Sequence, residues 1–110
     1  MATSKSPEHD WTVSVEVFSG RPNPSWSIEA SVGRRLEREW TSLPRWTGRQ
    51  STPPPLGYRG SRLAAPDGRV WLAFDGVVRF DDEVRKDTGR SFERTIIDSA
   101  PKGTLPEIAI

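Results

Sequence analysis

The clearest pattern in the chain is the run Trp11-Thr12-Val13-Ser14-Val15-Glu16-Val17-Phe18, in which large apolar residues alternate with polar ones. A period of two predicts a half-buried strand whose Trp11, Val13, Val15 and Val17 face a core, with Glu16 and Phe18 on the other face. A short extended piece is expected around Trp26 to Ile28. The spacing then changes to a helical one. Val32, Leu36, Trp40 and Leu43 fall on one side of a helix from about Ala30 to Leu43, which Pro44 ends. Gly33 inside that helix costs about 1 kcal/mol relative to Ala, so packing of Trp40 is expected to help hold it.

The second half reads as a meander. Gly57 to Ala65 and Arg69 to Phe74 are predicted strands separated by the turn Pro66-Asp67-Gly68. Asp75-Gly76 is a two-residue hairpin signal leading into Val77 to Asp81. In the middle strand Val70, Leu72 and Phe74 share one face, with Trp71 and Ala73 on the other. Asp81 to Asp87 reads as a charged loop. A second helix is expected from about Thr88 to Ala100, with Phe92, Ile96 and Ala100 as its apolar stripe. Asp87 or Thr88 caps it and Pro101 stops it. Residues 1 to 9 are polar and charged and read as a disordered lead-in; residues 10 to 110 form a single domain. The fold class is α+β: one antiparallel sheet of about four strands with two helices packed on one face. The opposite face then carries Glu16, Phe18 and some of Trp71, Tyr58 and Arg79. Such a face is either a dimer interface or the floor of a binding cleft.

Composition narrows the chemistry. Ten prolines and nine glycines imply much loop, and five tryptophans supply core area that the 34% hydrophobic content would otherwise lack. Without cysteine, disulfides and thiolate chemistry are excluded, and the lone histidine, His9, lies in the polar lead-in. No metal site is expected: the acids of Asp81-Asp82-Glu83 stand beside Arg85 and Lys86 as a solvated loop would. A formal charge of +1 leaves no basic footprint for nucleic acid. No apolar run is long enough to span a membrane, so a cytoplasmic protein is the default.

Two segments carry the functional signal. In Phe18-Ser19-Gly20-Arg21-Pro22-Asn23-Pro24-Ser25-Trp26 the prolines stiffen the backbone and push Arg21 and Asn23 toward extended conformations. The segment either presents a preset guanidinium and carboxamide, or Arg21 and Asn23 satisfy their own loop and Trp26 is core. Glu16, on the strand feeding that loop, is either a general base or an ordinary exposed strand residue. The stretch Pro44 to Leu56 is either a surface connector or a cleft wall.

The pair formed by Phe18-Ser19-Gly20-Arg21-Pro22-Asn23-Pro24 with Trp26 and by Leu56-Gly57-Tyr58-Arg59-Gly60 resembles motifs of a group of small microbial proteins. It is similar to the lysinoalanine-forming enzymes of cinnamycin- and duramycin-type lanthipeptide pathways. That resemblance implies addition of a peptide lysine amine to a dehydroalanine of the same modified precursor peptide, with no metal or cofactor. Arg21, Asn23 and Glu16 are then the catalytic candidates. Phe18, Pro22, Trp26, Tyr58, Arg59 and Trp71 are the substrate contacts, and a homodimer is expected. The alternatives are a non-catalytic peptide or small-molecule binding module and a homodimeric interaction protein.

Overall fold

The computed structural model describes residues 10–17, 22–50, 52–53 and 57–106. The expected lead-in at residues 1 to 9 lies outside the described residues, as do Phe18, Arg21, Leu56 and the last four positions.

The elements follow in the order β1 (Trp11–Glu16), β2 (Ser25–Ile28), α1 (Ala30–Ser42), β3 (Gly60–Ala64), β4 (Val70–Phe74), β5 (Val77–Phe80), β6 (Glu83–Lys86) and α2 (Ser91–Asp98). All strands belong to one antiparallel sheet of order β2-β1-β3-β4-β5-β6. The class is the expected α+β, but the sheet has six strands rather than about four.

The count differs chiefly at β6, whose sequence Glu83-Val84-Arg85-Lys86 has almost no apolar signal. Its pairing supplies what its composition lacks. It returns from β5 through the turn at Asp81-Asp82 and matches Arg79 with Val84. Its outer edge is covered by the chain after α1: Trp46 N–H donates to the Val84 carbonyl at 2.9 Å and Lys86 N–H to that of Pro44 at 2.8 Å. Arg85 takes the inward place of an apolar residue. Its guanidinium lies 4.5 Å from the Trp40 ring centroid and donates to the Trp40 carbonyl at 2.8 Å. A cation held against an aromatic face this way covers core surface without stranding its charge.

One core joins the inward residues of the sheet to both helices: Trp11, Val13, Leu63, Trp71, Ala73 and Val78 pack with Leu36 and Trp40 of α1 and Phe92 and Ile96 of α2. Trp71 is its centre, stacked on Phe80 at 4.9 Å and on Trp11 at 6.2 Å. The facing of β4 therefore corrects one expectation. Trp71 is 1% exposed and belongs to the helix side, whereas Leu72 is 47% exposed on the other. Alternation within a strand names two faces without saying which is buried; the larger area of Trp71 decides it.

At the N-terminus of α2, Asp87 performs the expected capping from a distance. Its carboxylate accepts the N–H groups of Phe92 (2.8 Å) and Glu93 (3.0 Å) across a tight turn, Thr88–Arg90. In that turn Gly89 and Arg90 both take positive φ, 64° and 57°.

Candidate functional site

The face of the sheet away from the helices is covered by no helix or strand among the described residues, and its side chains follow from the register. One row crosses four neighbouring strands as Ser14, Arg62, Leu72 and Arg79. The next pairs Glu16 with Gly60 and Phe74 with Val77. Strand spacing places the Cα atoms of Arg62 and Arg79 about 10 Å apart with Leu72 between them. Gly60, at φ 135°, leaves a gap in the second row: a Cβ there would stand 3.3 Å from the Ala73 carbonyl and 3.6 Å from Phe74 Cβ.

These rows floor a concavity of about 520 Å³, which Arg59 also lines and which Gln50, Thr52 and Pro53 wall from the side. The described part of the Pro44 to Leu56 stretch thus supplies a cleft wall after its first residues have closed the β6 edge. Trp46 holds the turn of this strap. Its indole donates to the Arg49 carbonyl at 3.2 Å, and Lys86 stands 5.9 Å over its ring. Gly48 permits the approach, since a Cβ there would fall 2.5 Å from the Trp46 ring.

The charge of the concavity is unbalanced. Arg59, Arg62 and Arg79 face a single lining carboxylate, that of Glu16. None of the salt bridges among the described residues involves these three arginines. Cations grouped over an apolar floor of Leu72, Phe74 and Val77 suit a guest that is anionic at one or two points and apolar between them. Backbone ties hold Arg59 and Glu16 together, because Arg59 N–H donates to the Glu16 carbonyl at 2.7 Å.

The residues expected from sequence divide. Glu16 and Arg59 enter the concavity. Asn23 turns to its own loop, where its Oδ1 accepts the Val17 N–H at 2.9 Å. Trp26 pairs with Val13 and packs against the core, its indole donating to Ser99 Oγ at 2.9 Å. Trp71 is core. Pro22 is exposed beside Asn23 and does not line the concavity. Phe18 and Arg21 lie outside the described residues. Arg62 and Leu72 are the residues that the sequence reading passed over. The signal for Arg62 was present, since Ser61 and Leu63 alternate with Arg62 and Ala64 in a predicted strand.

Tyr58 does not line the concavity, and its hydroxyl reaches the helix side. Its hydroxyl donates to Glu93 Oε2 and lies 2.8 Å from Ser61 Oγ, while Arg90 Nε donates to Glu93 Oε1 at 3.0 Å. Glu93 is wholly buried. Burial, reinforced by the bond to the Glu93 carboxylate, pushes the Tyr58 phenol far above its ordinary value. Burial likewise raises the Asp87 carboxyl, against the opposing pull of the two N–H groups it accepts. Among the described residues no group of three or more histidine, cysteine or acidic side chains could hold a metal ion, and no helix is long and apolar enough to cross a membrane.

The chain is thus a two-layer α+β protein with a concave, arginine-lined open sheet face. No protein-family model, no curated protein and no solved structure matches it.

Proposed function

We propose that the open face binds a peptide bearing at least one carboxylate, and that the chain is a cytoplasmic enzyme that closes a lysinoalanine bridge in such a peptide. The binding half rests on one observation: Arg59, Arg62 and Arg79, none in a salt bridge among the described residues, surround exposed Leu72 in one concavity. Charge-assisted bonds from such a set give register and orientation to a carboxylate-bearing guest.

The reaction half rests on the motif resemblance together with Glu16, the carboxylate of that concavity. A peptide lysine near its reference pKa of about 10.4 gives up a proton at a cost of about 4 to 5 kcal/mol at pH 7. Glu16 accepts that proton. The lysine nitrogen attacks the β-carbon of dehydroalanine, a C–N bond forms, and the alkene electron pair moves onto the acceptor carbonyl, held by Arg59. The proton then returns to the α-carbon. Atoms and electrons balance without a co-reactant, and holding amine and alkene together lowers the barrier by roughly 7 to 11 kcal/mol.

A second reading, a binding module that performs no chemistry, is favoured by Asn23, whose Oδ1 is taken up by the Val17 N–H. Incubating the protein with a dehydrated lanthipeptide and following ring closure by fragmentation mass spectrometry separates the two. Closure that is lost in Glu16→Gln supports the enzyme, and tight binding without closure supports the module. A dimer sealed through the open face, seen by sedimentation and broken by Leu72→Glu, would overturn both.

A further inference from the structure

We propose that Tyr58 and Glu93 are positioning residues for Arg59, acting from the far side of the sheet. The role of Arg59 as a guest contact rests on the function proposed above. Its placement by these two residues does not.

Residues 58 to 61 leave the helix side for the open face and return to it. Their ends are held on the helix side, where Tyr58 Oη and Ser61 Oγ bond each other at 2.8 Å and Tyr58 donates to Glu93. Between those ends stand Arg59 and Gly60, both lining the concavity. The Tyr58 ring leans on Phe74, another lining residue, at 6.0 Å. A wholly buried carboxylate is a poor source of stability compared with an apolar residue of its size. Glu93 is also held in one orientation, by Arg90 on one oxygen and by Tyr58 on the other. Asp87 secures the turn of α2 that carries Glu93, through the Phe92 and Glu93 N–H groups. The result is a strut from α2 through Tyr58 to the one turn of chain that both bonds Glu16 and presents Arg59. Gly60 is itself paired with Glu16, but at φ 135° and without a side chain it adds little stiffness to this stretch, which leaves the two anchored ends to set the path of Arg59.

Tyr58→Phe tests this, because it removes one oxygen and keeps the ring. Native-state hydrogen exchange is expected to show the Arg59 N–H losing protection roughly ten- to a hundredfold, the range of one lost charge-assisted bond, while Leu63 and Trp71 amides keep theirs. Unchanged protection at Arg59, or an equal fall throughout β3 and β4, would overturn the inference. Binding of an acidic peptide gives a second reading. Tyr58→Phe combined with Arg59→Ala should be non-additive, and combined with Arg79→Ala additive. A wild-type protein that binds no acidic peptide would defeat the proposed function while the exchange result still decides the strut.

Discussion

Gly33 of α1 lies against the indole of Trp11 so closely that a Cβ at position 33 would fall 2.2 Å from Trp11 Cδ2. Trp11 cannot retreat freely, since it is buried and also stacked on Trp71 at 6.2 Å. The glycine that weakens the helix as an isolated segment is therefore what lets helix and sheet meet. Gly33→Ala gains about 1 kcal/mol of helix propensity but incurs about 1 to 3 kcal/mol of overpacking. The expected outcome is a net loss of stability, read as a lower urea midpoint with an unchanged slope.

Tyr58 is the only tyrosine in the chain, so its ionisation can be read directly from near-ultraviolet absorbance. Because burial and Glu93 raise its folded pKa far above the unfolded value of about 10, the stabilising contribution is complete below that value. It declines as pH rises further, when the unfolded chain ionises and the folded one does not. Folded protein is expected to show no tyrosinate band through about pH 11, and Glu93→Gln to show it earlier. A normal titration in the wild type would mean that the phenol is not held as described.

Asp87 has the opposite balance from a surface cap. Burial raises its folded pKa, so its contribution to stability is greatest below the unfolded value of about 3.9 and is lost as pH rises through the raised one. Asp87→Asn should flatten that part of the stability-versus-pH curve. Asp87→Ala, which leaves two buried N–H groups without their acceptor, should cost about 1 to 3 kcal/mol at neutral pH. Thermal denaturation of the three proteins across the acid range distinguishes these outcomes.

Arg62→Ala and Arg79→Ala remove exposed side chains and should leave stability within about 0.5 kcal/mol of wild type. If the concavity takes a carboxylate-bearing peptide, each loss weakens binding by roughly ten- to a hundredfold, the range of a charge-assisted hydrogen bond. Calorimetry at two ionic strengths provides the check. Affinity should fall with salt in the wild type and less steeply in either variant. Binding unaffected by both substitutions would remove the site.

How much of this was readable before the fold was known differs from residue to residue. β1, α1 and the Asp75-Gly76 hairpin each carry a local signal strong enough to name the element: alternation, four-residue spacing, a residue pair that accepts positive φ. β6 carries none, because its stability comes from β5 on one side and Pro44–Trp46 on the other. Asn23 illustrates a different limit. A stiff loop guarantees that a carboxamide is held still, but whether it points at a guest or at its own Val17 N–H depends on the path of the loop.

From the order of its residues alone, this chain determined its periodicities, its breaks and hence its class, since those depend on steric and hydrophobic preferences acting over a few positions. Tertiary structure alone decided that Trp71 faces inward and Leu72 outward, that Arg59 and Arg62 at β3 meet Arg79 of β5 in one hollow, and that Glu93 reaches Tyr58 across 35 positions of chain. Those outcomes depend on which strands become neighbours and in which register, and a register is a property of pairs of segments that neither segment contains by itself.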